Sequence, residues 1–314
     1  MEMDPILVDK LKKVRVAIKS IENKPWRGKE VRWLFLEKIK DTLSSLRLLF
    51  KRAIIYSHLW HDVRTVLAVR AKELYSTGRE NPLLNPSCTL DNIQTIDTSG
   101  ETGARFAIIV NENGRPKTVH AKLVIACDGS KSRVRSLLPN EPDILIDGQK
   151  LVWRGLTPKS ANGMATIYTD IDTGRSAVLF PAGKGGGASW SVISNVQAGK
   201  LETEAQARSR LAKVINDVGE DFKQAVDDSS FIIENKLFAR DFDKTWNSSY
   251  DGLAMPTREG IALALVDAKV LGEVVAKHGL GLEALRAYED ERYESVKTMA
   301  DNVEIGARNL IPDQ

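Results

Sequence analysis

Residues 121–136, AKLVIACDGSKSRVRS, join a short apolar run to an Asp-Gly break and then to a cationic helix start. Leu123, Val124, Ile125, Ala126 and Cys127 are too few for a helix standing alone, so the run reads as a strand buried on both faces. Asp128 and Gly129 stop it. An acidic side chain at the carboxyl end of such a strand, beside a glycine that admits close backbone approach, is the arrangement that holds polar groups of a nucleotide. Arg133 and Arg135 fall in the first turn of the next helix, where the helix dipole favours anions. Cations there call for an anionic neighbour. By itself Asp-Gly is a common turn, and Asp a common helix cap. The whole series of strand, Asp128, Gly129, Ser132 and Arg135 is what points to a cofactor.

The remaining chain alternates between helical and strand periods. Residues 5–22 and 30–56 show helical apolar spacing on either side of the break Lys24-Pro25-Trp26-Arg27-Gly28, and 59–76 reads as a third helix. After a loop rich in Pro and Asn at 81–87, strand alternation runs through 89–96, 104–111 and 116–127, with Asn113-Gly114 as the hairpin turn between the last two. Strands near 150–156, 164–170, 176–181 and 189–194 form a second sheet region. Helices at 202–217 and 220–227, a strand at 231–238 and two long helices at 259–278 and 281–307 complete the chain.

Asp128, Gly129, Ser132 and Arg135, spaced as Asp-Gly, two residues, Ser, two residues, Arg, resemble the second fingerprint of the class A flavoprotein monooxygenases, the FAD-dependent aromatic hydroxylases. In that family the segment contacts FAD and bears on NAD(P)H use, and the resemblance implies the same for these four residues. Leu151–Pro158, LVWRGLTP, resembles the strand that opens the family's substrate-side sheet, and Val178–Ala182 resembles its partner strand. For Trp153 and Arg154 plain sheet packing is the preferred reading over catalysis. Met255–Leu271, MPTREGIALALVDAKVL, resembles the third fingerprint, with Pro256, Glu259, Gly260, Asp267 and Ala268 fitting its pattern. Free amides at that helix start would attract the flavin pyrophosphate. Asp251 stands as the remnant of the acidic position that touches the ribityl chain in the family. The structural alternative for this segment is an amphipathic helix with Ile261, Leu263, Leu265, Val270 and Leu271 in a core.

The chain also departs from the family. Its usual opening of strand, GxGxxG turn and helix has no counterpart here, since residues 1–75 hold a single glycine, Gly28. Arg258 stands where a glycine is usual and Ala262 where an asparagine is usual, and the stretch 241–250, DFDKTWNSSY, is too polar for a central strand. Gly183, Gly185 and Ala188 fit GxGxxA, but the residues that follow alternate as a strand, so a flexible hairpin turn is the better reading.

The resemblance implies an α/β fold: an incomplete flavin monooxygenase-like architecture with a substrate-side mixed β-sheet and long C-terminal helices, preceded by a helical region. The expected divisions are a basic N-terminal region at 1–56, an FAD-binding-like domain at 57–148 and 240–314, and the substrate-side sheet at 149–239. The implied activity is an NAD(P)H-dependent monooxygenase in which the flavin supplies the oxygen chemistry. It would insert one oxygen atom into an aromatic or alkene-bearing small molecule held against the sheet at 150–194. No side chain identifies itself as a general acid or base. The alternative is a truncated, non-catalytic relative whose N-terminal helices bind a partner chain.

Composition narrows the remaining classes. At 314 residues and 42% hydrophobic content the chain can bury one large domain or two coupled ones. No run approaches the roughly 20 apolar residues of a membrane span, and no secretory signal is evident, so a soluble cytoplasmic or organellar protein with two reduced cysteines, Cys88 and Cys127, is expected. His58 and His61 lack a third ligand nearby, so no metal site is expected. Residues 1–75 carry 17 Lys and Arg against 9 Asp and Glu, while the whole chain is only +3. A solvated helix face accounts for this better than nucleic acid, because aromatics are not interleaved with the cations.

Overall fold

The computed structural model describes residues 4–27, 55–75, 84–96, 105–129, 132–137, 146–158, 161–170, 172–183, 185–195, 203–239, 253–254 and 261–308. In chain order the elements are α1 (Pro5–Val14), β1 (Val16–Ile18), β2 (Ser20–Pro25), β3 (Ile55–Ser57), α2 (Trp60–Tyr75), β4 (Cys88–Thr95), β5 (Phe106–Glu112), β6 (Arg115–Ala121), β7 (Val124–Ile125) and α3 (Arg133–Ser136). They continue with β8 (Ile146–Thr157), β9 (Met164–Asp170), β10 (Arg175–Pro181), β11 (Ala188–Ser194), α4 (Glu204–Val214), α5 (Glu220–Asp227), β12 (Ile232–Ala239), β13 (Leu253–Ala254), α6 (Ile261–His278) and α7 (Leu282–Arg308). The chain divides into a first unit of residues 1–3, 77–146 and 239–307 and a second of residues 4–76, 147–238 and 308–314. Residues 4–76 thus group with the large sheet.

In the second unit, six strands lie in the order β12-β8-β11-β10-β9-β2. β8 to β11, β11 to β10 and β10 to β9 pair antiparallel, while β2 joins β9 in parallel, with Ser20 opposite Met164 and Pro25 opposite Thr169. Period-two alternation sends Leu151, Trp153, Tyr168, Ala177, Trp190 and Val192 to one face. There they meet Leu211 and Val214 of α4 and Phe222 and Val226 of α5. Phe222 lies edge-on to Tyr168 and Trp190, with ring centroids 5.2 and 6.1 Å apart. The buried indoles are satisfied: Trp153 Nε1 donates to Glu234 at 2.6 Å and Trp190 Nε1 to Ser229 Oγ at 2.7 Å. Arg210 closes on Glu234 at 2.8 Å. Gly155 is required beside Trp190, since a Cβ there would stand 2.4 Å from the indole Cζ2.

A charged network fastens the edge strand. Trp26 Nε1 and Arg27 Nε donate to the two oxygens of Asp217, each at 2.8 Å, and Arg175 reaches both Asp217 and the buried Asp170. The Arg175 guanidinium also lies 4.7 Å over the Trp26 ring. Desolvation alone would raise the Asp217 carboxyl, but hydrogen bonds from Arg175, Arg27 and Trp26 outweigh it and hold the group well below the usual carboxylate range. Asp221 accepts from Lys24 at 2.7 Å and from Tyr168 Oη at 2.8 Å, and it too is lowered against its own desolvation.

The N-terminal expectation needs correction. The helix read at 5–22 ends at Val14, and the following residues form β1, antiparallel to β3, and β2 on the large sheet. The β-branched alternation Val14-Arg15-Val16-Ala17-Ile18 suits an extended strand, and pairing with β3 and β9 settles the conformation that helical spacing had left ambiguous. Of the helix read at 30–56, residues 30–54 lie outside the described residues, and 55–57 is a strand. The third helix appears as α2. The strands read from 89 to 194, the strand at 231–238 and the helices from 202 onward appear within a few residues of their expected bounds, apart from the run 116–127, which is split between β6 and β7.

In the first unit β4, β5 and β6 form an antiparallel meander. Its hairpin turns at Asn113 and Gly114, both with positive φ, 53° and 83°, as a two-residue turn of this hand demands. Phe106 and Val134 pack with Leu90, Ile93, Ile108, Val124 and Ala126 in one cluster. A second cluster joins α6 and α7 through Val270, Leu271, Val274, Leu285, Tyr288 and Val296, with Leu123 packed against it. β7 pairs in parallel with β13, Val124 opposite Leu253 and Ile125 opposite Ala254.

The expectation of a strand buried on both faces is only half met. Val124 and Ala126 face the meander cluster and Leu123 the helical one, but Ile125 is 41% exposed and Cys127 is exposed. In α6 the exposure is divided along the helix. Its buried residues in the helical cluster begin at Val270, while Leu265 and Val266 remain open.

Candidate functional site

β7 and β13 run parallel, so the chain leaves both at the same end of the pair. From β7 it passes through Cys127, Asp128 and Gly129 to α3, and from β13 it reaches α6, which starts at Ile261. Carboxyl ends of parallel strands, each leading to a helix start, are where α/β sheets hold nucleotides.

At the β7 end the geometry is described. Gly129 adopts φ +79°, the left-handed region that favours glycine, and a Cβ built on it would meet nothing within 4 Å. Asp128 is exposed, and its Oδ2 accepts from the backbone N–H of Val134 at 3.1 Å. Ser132 is the helix cap, its Oγ accepting from Arg135 N at 3.1 Å. Val134 anchors this short helix in the meander cluster. The cap role weighed from sequence for Asp128 is thus real and Ser132 caps the helix beside it, while the outer oxygen of Asp128 makes no hydrogen bond among the described residues. Arg133 points its Nη2 at the carbonyl of Asp91 on β4, 3.1 Å away, and Arg135 is buried and engaged within the protein.

At the β13 end, Asp251, Pro256, Glu259 and Gly260 lie outside the described residues. Asp267, two turns into α6, is buried and accepts from Arg292 Nε of α7 at 2.8 Å, while Arg292 Nη1 donates to Ser295 Oγ at 2.8 Å. Arg292 gave no signal in the sequence reading. Its position on the buried face of α7, four residues after Tyr288, was the available clue. The Cys127 thiol is pushed upward by desolvation first, and then by the charges of Asp128 and Asp267. The amphipathic reading of α6 holds for Val270 and Leu271, which are buried, and fails for Leu265, which is 41% exposed. The side chains of Ile261 and Leu263 are outside the described residues.

Elsewhere the sequence readings divide. Trp153 packs in the sheet core, as read, whereas Arg154 is exposed. Gly183, Gly185, Gly186 and Gly187 lie in the β10–β11 hairpin turn, closed by Ala182 N to Gly187 O at 3.0 Å, so the GxGxxA lookalike is a turn. Among the described residues no group of three or more His, Cys, Asp or Glu is placed to hold a metal ion, and no helix is long and apolar enough to cross a membrane.

Residues 93–207 match the family model described as an FAD binding domain. This stretch takes in Asp128, Gly129, Ser132 and Arg135 and the strands β8 to β11, and ends before the third fingerprint. No curated protein matches the chain. Among solved structures it is similar to HpxO of Klebsiella pneumoniae complexed with FAD and uric acid, at 15% identity and TM-score 0.64, covering 98% of this chain and 79% of that one. It is also similar to P. aeruginosa PqsL in complex with 2-aminobenzoylacetate, at 20% identity and TM-score 0.53, covering 71% and 63% of the two chains. A third is the tetracycline destructase Tet(51), at 16% identity and TM-score 0.50, covering 71% and 60%. The chain therefore spans less than two thirds of the length of the latter two. Together these establish the fold of the FAD-dependent monooxygenases and, over 93–207, a sequence match to the FAD binding domain.

Proposed function

We propose that this chain binds FAD at the carboxyl ends of β7 and β13 and acts as an NAD(P)H-dependent monooxygenase on an aromatic or alkene-bearing small molecule. The observation that carries the reading is the parallel pair itself, with β7 and the α3 start inside the FAD-domain match and β13 and the α6 start C-terminal to it. The residues fit the group. Gly129 leaves open space where a side chain would stand, and Asp128 offers an oxygen to ribose or ribityl hydroxyls. Ser132 holds α3 in place, and the backbone N–H groups of Glu259 and Gly260, following Pro256, would donate to the pyrophosphate. Asp251 and Arg135 complete the proposed set, Arg135 by stiffening α3 from within. The bound flavin would supply the redox and oxygen chemistry. The chain's own residues would bind it, orient it and keep water away.

Titration of FAD into the purified protein, followed by flavin fluorescence and by the absorbance band, tests this. Quenching with saturable affinity, weakened about tenfold or more in Asp128→Ala, is expected from loss of a charge-assisted hydrogen bond. NAD(P)H oxidation that depends on added FAD would follow. A protein that stays colourless and gains no thermal stability from FAD overturns the reading.

A second reading, a non-catalytic relative that binds a partner chain, is favoured by one observation. The segment before residue 26 is committed to the large sheet as β2, and Ile6 of α1 and Val69 and Leu74 of α2 are exposed apolar residues. The same titration separates the two.

A further inference from the structure

Among the described residues the apolar packing of α6 begins at Val270. From there Val270, Leu271 and Val274 join Leu285 and Tyr288 of α7 in one cluster. Ahead of it the packing stops. Of residues 264–269 Asp267 alone is buried, while Ala264, Leu265, Val266, Ala268 and Lys269 are all exposed. A helix whose apolar side chains face water over nearly two turns has little hydrophobic hold on its neighbours there. What reaches this stretch from α7 is the buried Arg292 guanidinium, whose Nε donates to Asp267 Oδ1 at 2.8 Å.

Arg292 is itself braced. Its Nη1 donates to Ser295 Oγ at 2.8 Å, and Ser295 Oγ donates to the Arg292 carbonyl at 2.9 Å, so the side chain is tied back to its own helix before it meets Asp267. Nη2 is buried and makes no hydrogen bond among the described residues. A buried ion pair seldom adds net stability over apolar residues of similar volume, and one with a donor unspent adds less. What such a pair supplies is direction, because a charge-assisted hydrogen bond fixes distance and angle where hydrophobic contact tolerates sliding. α6 starts at Ile261, directly after Glu259 and Gly260, whose N–H groups are proposed to hold the FAD pyrophosphate. Asp267 follows that start by about 9 Å of helix rise.

We propose that Arg292 is a positioning residue: through Asp267 it sets the placement of the first turns of α6, and through them the affinity for FAD. It acts by way of Asp267 and needs no contact with the cofactor. The effect on FAD rests on the flavoenzyme reading, whereas the hold on α6 does not.

The full chain carrying Asp267→Leu and Arg292→Met together tests this, since both charges leave at once and apolar side chains fill the space. Its melting temperature is expected to stay close to that of wild type. FAD, titrated well below that temperature, should bind about tenfold more weakly, the scale of one hydrogen bond to a charged group. Hydrogen exchange without FAD should quicken about tenfold at amides 265–269 and stay unchanged at 270–278. Arg292→Lys, which keeps a charged donor, should recover part of the lost affinity. Wild-type FAD affinity in the double variant, affinity losses that only follow the melting temperature in either variant, or exchange that is unchanged or rises equally along α6 overturns the proposal. Wild-type protein that binds no FAD overturns the flavoenzyme, and exchange in α6 then decides for or against Arg292 by itself.

Discussion

Two aspartates, one in each unit, have opposite surroundings. Asp217 follows α4 in the second unit and is saturated: Trp26, Arg27 and Arg175 occupy both oxygens. Asp128 follows β7 in the first unit and, among the described residues, spends one oxygen on a backbone N–H and turns outward. The first arrangement completes itself and gains only rigidity. The second retains acceptor capacity at a parallel strand end, which is what a binding group needs. Within a single chain, the number of partners a carboxylate already has separates scaffold from site better than its residue type does.

This contrast can be broken from its strongest side first. Trp153→Ala should cost about 4 kcal/mol, because the indole is fully buried and its removal also strips Glu234 of a donor. Urea unfolding measures it, and a loss under 1 kcal/mol would show the sheet core to be more yielding than its packing implies. Arg175→Ala should cost about 3 kcal/mol by taking from the buried Asp170 its nearest cation, leaving Arg27 at 3.7 Å, and from Asp217 one of its two guanidinium partners. Because Asp170, Asp217 and Asp221 are all held below their unfolded value of 3.8, the stability they contribute is complete above about pH 4 and lost as pH falls through their folded values. The wild-type acid unfolding curve should therefore be steep beneath pH 4 and flat from 5 to 8, and the Arg175→Ala curve shallower.

Smaller effects sharpen the comparison. Gly155→Ala should cost about 2 kcal/mol, since the added methyl would drive into the Trp190 ring and shift it. Thermal melting followed by tryptophan fluorescence reads both the loss and the ring displacement. Ser132→Ala removes the α3 cap and should cost about 1 kcal/mol. Its larger signature should be in FAD affinity, because α3 carries the proposed site while only Val134 ties it to the meander core. Equal losses in stability and in affinity would make Ser132 a scaffold residue like the rest.

Much of the architecture was legible where local signals agree with tertiary structure. Asn113-Gly114 fixed a hairpin, and alternation in 164–194 gave three strands almost to the residue. The N-terminal segment was not, because Val14 to Ile18 satisfies both a helical and an extended pattern and the deciding partners lie elsewhere in the chain. The site was readable in part. Asp128, Gly129 and Ser132 stood out by spacing, whereas the Asp267–Arg292 pair spans 25 residues between two helices and has no local mark. Exposure of Ile125 was equally hidden, since an apolar run announces a strand and says nothing of whether a neighbour covers it.

The parallel docking of β2 on β9 has a consequence for biogenesis. Ser20 leaves the ribosome some 140 residues before Met164, the residue it must lie beside. Until then the segment is an orphan with bare amide and carbonyl groups, and its late capture makes the closing of the sheet the slow, most non-local event in maturation. A translation pause or chaperone acting on the nascent chain before β9 emerges would therefore change the yield of the finished sheet more than one acting afterward.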